Sequence, residues 1–171
     1  MKYAKLRNWT SGSNVGLLLL LAILAGCLDT PDFPVVPHIE FIGLSRDTLR
    51  QGIFHQDSLY VEFKFQDGDG DIGRNPGSAE NNVFFIDERT GILDNTFGIP
   101  AIPEEGASNG VEGVVRILLY STCCIYPDGT DPCSVHPDYP LDEVQYKIYI
   151  RDRAGNKSNE ILTTPITLIC Q

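Results

Sequence analysis

Three aspartates at alternate positions, Asp67, Asp69 and Asp71, are the residues of this chain best suited to chemistry. They stand in the segment FQDGDGDIG, where a glycine separates each carboxylate from the next. Carboxylates about 4 Å apart repel by about 1 kcal/mol per pair in water, and the glycines permit the positive-φ turns that fold a loop around a small centre. A hard cation with oxygen ligands relieves this repulsion. The spacing therefore predicts a calcium site, and a solvated acidic turn is the alternative interpretation.

A further aspartate is expected at the same end of the domain. Asp67 and Asp152 each continue a period-2 run of apolar residues, so both side chains should point inward. The runs are Leu59, Val61, Phe63 and Phe65 in one strand, and Val144, Tyr146, Ile148 and Ile150 in another. Two inward carboxylates at one end are costly unless a cation or hydrogen bonds meet them. Asn156 can add another oxygen, although ordinary turn chemistry also explains Asp152 and Asn156.

The acidic segment departs from the EF-hand pattern. The sixth position of that loop requires glycine but is Ile72, and the twelfth requires glutamate but is Ser78. A strand pattern also precedes the segment. It resembles instead the aspartate-rich loops of calcium-binding extracellular β-domains, and this resemblance implies calcium as the ligand.

Residues 1–26 have the pattern of a signal peptide. Three basic residues lie before position 8, and the apolar run at 15–26 is shorter than the roughly 18 residues needed to span a membrane. The sequence LAGC ending at Cys27 resembles the lipobox of bacterial lipoproteins. That resemblance implies a diacylglyceryl thioether on Cys27, cleavage before it and acylation of the new amine with a fatty acid such as palmitate. Several acyl chains make a stable membrane anchor.

The residues after Cys27 indicate location and a tether. Leu28 stands where, in the lipoprotein family, an aspartate would retain the protein in the inner membrane, so the resemblance implies the outer membrane. The acidic start of the mature chain resembles surface-export signals of Bacteroidota lipoproteins, which leaves the periplasmic and cell-surface faces both open. Three prolines predict that 27–37 is an extended, stiff tether.

Beyond the tether, the chain is a series of short period-2 patterns without a helix signal. The candidate strands are 38–44, 59–65, 82–88, 114–121, 144–150 and 161–170. We therefore expect residues 38–171 to form an all-β, immunoglobulin-like or fibronectin-like antiparallel β-sandwich of about seven strands, with long loops at 89–113 and 123–142. The ending YKIYIRDRAGNKSNEI resembles the closing hairpin of bacterial immunoglobulin-like and fibronectin-like domains.

Four cysteines remain when Cys27 is lipidated: Cys123, Cys124, Cys133 and Cys170. An even number outside the cytoplasm predicts disulfides. A bridge between the adjacent pair is strained, and the strand directions of the sandwich bring Cys170 near that pair. One of the pair should bond Cys170 and the other Cys133. A Cys3His zinc site that uses His136 is the alternative.

Charge and motifs exclude several function classes. All 23 acidic residues follow position 28, whereas the whole chain carries 13 basic residues and a net charge of -10. Such a surface repels phosphate backbones, so no nucleic acid is expected as partner. No His-Glu-x-x-His or GxxxxGK[ST] motif occurs; GASNG at 106–110 and GDGDIG at 68–73 match Gly-x-Ser-x-Gly and Gly-x-Gly-x-x-Gly by letter alone, because no helix pattern follows either. We therefore predict a protein that is not an enzyme.

The sequence predicts a calcium-stabilised, membrane-anchored module that acts in binding or envelope assembly and contacts an envelope protein or a glycan. The design resembles many small Bacteroidota lipoproteins. Tyr126, His136 and Tyr139 on the cysteine loop are the expected contact residues, because rigid aromatic rings give contact area at little entropic cost. Alternatively, these rings only cover the end of the core. The alternative function is a small carbohydrate-active or peptidase-like hydrolase that uses acidic loop residues.

Overall fold

The computed structural model describes residues 33–54, 56–75, 77–102 and 110–171, and within them the chain forms ten β-strands and no helix. The strands are β1 (His38–Leu44), β2 (Thr48–Arg50), β3 (Ser58–Asp67), β4 (Val83–Asp87), β5 (Ile92–Phe97), β6 (Val111–Tyr120), β7 (Leu141–Val144), β8 (Tyr146–Ile150), β9 (Ile161–Leu162) and β10 (Ile166–Ile169). The expected signal peptide, Cys27 and the tether up to residue 32 lie outside the described residues. The described part contains no helix with the length and apolar character needed to cross a bilayer.

The strands form the two layers of the expected β-sandwich. One layer is the sheet β1-β3-β6, and the other contains the sheets β5-β4-β8-β9 and β2-β10-β7. These last two sheets are continuous along the chain, because only Gln145 separates β7 from β8. All neighbouring strands are antiparallel except β2 and β10, which pair in parallel. The all-β sandwich predicted from the period-2 patterns is therefore confirmed.

The core lies between the layers because alternate residues of the long strands point inward. In β3 every second residue from Leu59 to Asp67 is buried, and β8 repeats this alternation from Tyr146 to Ile150. The largest completely buried side chains come from both layers: Phe63, Ile39, Leu59 and Leu119 from one, and Tyr146, Phe85, Ile148 and Ile150 from the other. The inward parity predicted for Asp67 follows directly from this packing.

Two strands were not expected from the sequence. β5 lies inside the segment 89–113 that we predicted as a loop, and β2 lies between two predicted strands. β5 has no apolar alternation: it is an edge strand that pairs only with β4, and its first three residues are exposed. The strand predicted at 144–150 is interrupted after its first residue, because β7 begins earlier, within the segment predicted as a loop at 123–142, and the strand predicted at 161–170 is divided into β9 and β10. Gln145 separates β7 from β8. Its Nε2 donates to the carbonyl oxygen of Thr163, which lies between β9 and β10, at 2.9 Å.

Candidate metal centre

The three loop aspartates lie together at the end of β3. One ligand oxygen from each of Asp67, Asp69 and Asp71 can be chosen so that all three lie within 4.8 Å of one another. Asp67 is completely buried, Asp71 is partly buried and Asp69 is exposed. The cluster therefore extends from the core to the surface, as expected for a site that an ion enters from solvent.

The loop is held in place by its own backbone and by a core residue. The N–H of Ile72 donates to Oδ2 of Asp67 at 2.9 Å, and the side chain of Ile72 is completely buried in the core. Gly70 and Gly73 have positive φ values of 69° and 99°. A Cβ at Gly73 would lie 2.5 Å from the carbonyl oxygen of Pro100, so a larger residue would displace the loop. The anchoring of the loop by Ile72 therefore keeps its other carboxylate oxygens close to one another.

Two carboxylate oxygens in the cluster are buried without a hydrogen-bond donor from any residue that the structure describes. They are Oδ1 of Asp67 and Oδ1 of Asp71. The other oxygen of Asp71 accepts the N–H of Ala154 at 2.9 Å. A buried acceptor without a partner is costly, and more so when it carries charge. A cation bound by these oxygens and by Asp69 would satisfy both, and a donor set made only of oxygen suits calcium.

The electrostatics of the cluster are unfavourable without an ion. Burial is the main reason that the pKa of Asp67 is raised from 3.8 to about 6; the N–H of Ile72 opposes the change, and the carboxylates of Asp69, Asp71 and Asp152 add to it. Burial and then the charge of Asp152 also raise the pKa of Asp71. Each group thus resists ionisation in the ion-free fold, and a divalent cation would reverse this preference.

Asp152 and Asn156 lie near this cluster but make hydrogen bonds to each other. The backbone N–H of Asn156 donates to Oδ1 of Asp152 at 2.7 Å, and its Nδ2 donates to Oδ2 at 2.8 Å. The N–H of Arg153 donates to the carbonyl oxygen of Asp71 at 3.3 Å, which places the end of β8 beside the loop. Asp67 and Asp152 therefore lie at the same pole, as expected. The hydrogen bonds between Asp152 and Asn156 favour the interpretation of these two residues as an ordinary turn.

The segment that leads into the domain packs on the acidic loop. The N–H of Gly68 donates to the carbonyl oxygen of Pro34 at 2.8 Å. A Cβ at Gly68 would lie 2.2 Å from the carbonyl oxygen of Phe33, and one at Gly110 would lie 2.9 Å from the Phe33 ring. These close approaches require glycine at both positions. The last residues of the tether thus enter at the aspartate pole.

The opposite pole contains the two disulfides predicted from the strand directions. Cys123 bonds Cys133 with a Cα–Cα distance of 4.6 Å, and Cys124 bonds Cys170 with 5.9 Å. The second bridge is completely buried in the core. Since all four sulfur atoms are bonded in pairs, none of them is a thiolate for the alternative zinc site.

The aromatic residues of the cysteine loop have different exposures. Tyr126 is only 5% exposed, belongs to the core, and donates its hydroxyl hydrogen to the carbonyl oxygen of Ser134. The ring of His136 lies 5.3 Å from that of Tyr126 and 4.8 Å from that of Tyr139, and its Nε2 lies 3.0 Å from Oδ2 of Asp128. Tyr139 is 37% exposed. Tyr126 therefore covers the end of the core, and only its two neighbours present surface to a partner.

Arg89 organises this pole, and sequence reasoning did not select it. Its guanidinium forms ion pairs of 2.6 Å with Asp87 and with Asp142, and it donates to the carbonyl oxygen of Cys123 at 3.1 Å. The same Asp142 oxygen accepts the N–H of Ile125 at 2.9 Å. Asp87 precedes Arg89 by two residues, but the partner 53 positions away could be identified only from the fold.

No protein-family model, curated protein or solved structure matches this chain. The features that bear on function are therefore the two poles of the sandwich and the surface between them. The acidic loop and the incoming tether occupy one pole, and the disulfide-linked loop occupies the other.

Proposed function

We propose that this protein is a lipid-anchored, extracytoplasmic binding or envelope-assembly module without catalytic activity, stabilised by calcium and by two disulfides. The observation that carries the proposal is the pair of buried, unpartnered oxygens on Asp67 and Asp71, inside a cluster with a third carboxylate. Oxygen atoms of this kind suit a calcium ion and are costly without one.

The cysteines support the extracytoplasmic location. Disulfides persist in oxidising compartments and are rare where thiols are kept reduced. The LAGC sequence supports a lipid anchor at Cys27 in the outer membrane, facing the periplasm or the cell surface. Calcium then has a mechanical role, because the loop it would bind is hydrogen-bonded to the last residues of the tether through Gly68 and Pro34.

The alternative function, a small envelope hydrolase, would need two carboxylates in an accessible cavity. Asp67 and Asp71 have the raised pKa values that such chemistry uses. Asp67 is completely buried, however, and the cavity of about 540 Å³ that borders the loop at Gly73 is lined by Asp152 and Glu80, so neither carboxylate with a raised pKa lines it. This geometry favours a structural cation over a pair of catalytic acids.

Calcium titration of the purified full-length protein in detergent tests the proposal. We expect calorimetry to detect one calcium ion bound below about millimolar concentration, and the ion to raise the melting temperature by mass action on the folded state. The variant Asp69→Asn/Asp71→Asn should lose both effects. The matched control Asp131→Asn/Asp138→Asn changes the same charge on exposed residues of the cysteine loop and should keep both. Absence of binding heat at millimolar calcium in the unaltered protein would contradict the proposal.

A further inference from the structure

The arginines of this acidic protein are distributed unevenly. Among the described residues, the arginine ion pairs involve Arg46, Arg89 and Arg116. The other described arginines, which form no ion pair with a described carboxylate, are Arg50, Arg74, Arg151 and Arg153. Three of these four line one cavity, here called the arginine cavity, and only Arg50 lies elsewhere.

The arginine cavity has the size of a small-ligand site. Its volume is about 540 Å³, within the roughly 300 to 1,000 Å³ typical of such sites. Three segments distant in sequence form its wall: the loop after β3 with Arg74, the start of β4 with Asn82 and Phe84, and the turn after β8 with Arg151 and Arg153. Most of the lining residues are of polar types, with Ser78, Asn81 and Thr96 among them.

Asn82 lies in the wall of this cavity and has a buried donor. It is 8% exposed, and its Nδ2 has no hydrogen-bond partner among the described residues. The other polar atoms of Asn82 are hydrogen-bonded. Its Oδ1 accepts the N–H of Ile99 at 2.8 Å, its backbone N–H donates to the carbonyl oxygen of Phe97, and its carbonyl oxygen accepts the N–H of Arg151. The amide cannot turn without breaking the bond to Ile99. Its Nδ2 is thus a fixed, buried donor in the wall of the cavity, without surface that a ligand could contact.

Two of the guanidinium groups are positioned before any ligand arrives. The rings of Phe84 and Tyr149 stack at 4.8 Å, and the guanidinium of Arg151 lies 5.7 Å and 6.0 Å from their centroids. The side chain of Arg74 packs against Gly98. A Cβ added at Gly98 would lie 2.5 Å from Nε of Arg74. Such contacts reduce the entropy that these side chains lose on binding. They also leave the hydrogen-bonding edges of the guanidinium groups unused by carboxylates.

Two acidic residues of the lining, Asp152 and Glu80, reduce this positive charge without cancelling it. Both carboxylate oxygens of Asp152 accept hydrogen bonds from Asn156, at 2.7 Å and 2.8 Å. Glu80 is exposed at the rim, so its charge is screened by water. Three arginines and two carboxylates therefore leave the lining with a formal net charge of +1, and arginine forks match the geometry of carboxylate and phosphate oxygens.

We propose that the arginine cavity binds a small polyhydroxylated ligand that carries a carboxylate or phosphate group. Arg74, Arg151 and Arg153 hold the anionic group, and the neutral polar residues of the lining bind hydroxyl groups. This inference rests on the proposed binding function and specifies the chemical class of its ligand.

Three matched sugars test the inference: glucuronic acid carries a carboxylate, glucose 6-phosphate carries a phosphate, and glucose carries no charge. Binding to the full-length protein is measured by calorimetry with calcium present. We expect at least one charged sugar to bind at least about tenfold more tightly than glucose, and the one that binds identifies the anionic group. Arg151→Gln/Arg153→Gln should weaken that binding about tenfold or more, whereas the control Arg50→Gln should leave it unchanged.

Several outcomes would overturn the inference. They are equal binding of glucose, equal weakening by the control Arg50→Gln, and no binding of either charged sugar at about 10 mM, where only a very weak site would escape detection. The calcium titration separates this inference from the proposed function, because a protein that binds calcium but neither charged sugar keeps the function and loses the ligand. Release of inorganic phosphate from glucose 6-phosphate would instead contradict the non-catalytic function and leave the ligand class intact.

Discussion

The backbone N–H of Gly68 donates to the carbonyl oxygen of Pro34 at 2.8 Å, which joins the acidic loop to the segment that enters the domain. An ion bound by Asp69 and Asp71 would restrain the same loop. We therefore expect calcium to slow hydrogen exchange at the Gly68 amide by about tenfold or more, because local opening requires loss of the ion. The amide of Ser121, which donates to Asp57 at the opposite pole, is the internal control and should not change. Equal slowing of hydrogen exchange at both amides would contradict a local stabilisation of the loop by the ion.

The stability of the calcium-free protein should depend on pH through Asp67. Its pKa is raised from 3.8 to about 6 in the fold, so between these values the folded state holds a proton that the unfolded state has released. The stabilising contribution is present below about pH 4 and lost as the pH rises through about 6, up to roughly 3 kcal/mol. Chemical unfolding at several pH values should show this decline in the unaltered protein, and Asp67→Asn should remove the part due to Asp67 and leave the part due to the raised pKa of Asp71. Parallel curves for the two proteins would show that Asp67 is not the cause.

The two disulfides should contribute unequally to stability. Cys124–Cys170 joins residues 46 positions apart and is buried in the core, whereas Cys123–Cys133 spans only 10. Loop-closure entropy predicts a cost of about 4 kcal/mol for removing the first and about 3 kcal/mol for the second. Urea unfolding of Cys124→Ala/Cys170→Ala and Cys123→Ala/Cys133→Ala measures the difference directly. A larger loss from the shorter bridge would contradict this ranking.

Arg89 should be among the most important charged residues for folding. Arg89→Met leaves Asp87, which is 6% exposed, and Asp142 without their cation, and breaking a buried pair in this way costs about 3 kcal/mol. The control Arg46→Met removes a half-exposed arginine that pairs with Asp57, and it should cost about 1 kcal/mol or less. Thermal and urea unfolding compare the two variants. Similar losses of unfolding free energy in both variants would show that the Arg89 ion pairs stabilise the fold no more than the Arg46 pair does.

Membrane attachment should depend on Cys27. Cys27→Ser removes the thiol to which the lipid would be attached, so the variant should incorporate no palmitate and should not acquire the lipid anchor. Metabolic labelling with palmitate checks the first effect, and fractionation after alkaline extraction checks the second. The control Cys133→Ser alters a disulfide cysteine, and its lipid label should be retained. Palmitate incorporation into Cys27→Ser would contradict the lipobox assignment.

The sequence by itself determined most of the strands and the orientation of their side chains. Period-2 alternation placed β1, β3, β4, β6 and β8 close to their observed bounds, because each strand has one face against a core. The same parity predicted that Asp67 points inward. Strand directions, followed from one end of the sandwich to the other, also paired the cysteines correctly as far as sequence allows. Each of these inferences depends on local alternation or on chain connectivity.

Only the tertiary structure decided which polar groups have partners. The missing donors for Asp67 and Asp71, the hydrogen bonds between Asp152 and Asn156, and the burial of Tyr126 depend on side chains that meet across loops. β5 was missed because an edge strand with exposed residues has no alternation to detect. The arginine cavity could not be predicted either, because Arg74 and Arg151 converge from segments 77 residues apart. Local patterns record what each strand buries, whereas sites are formed by contacts between distant segments.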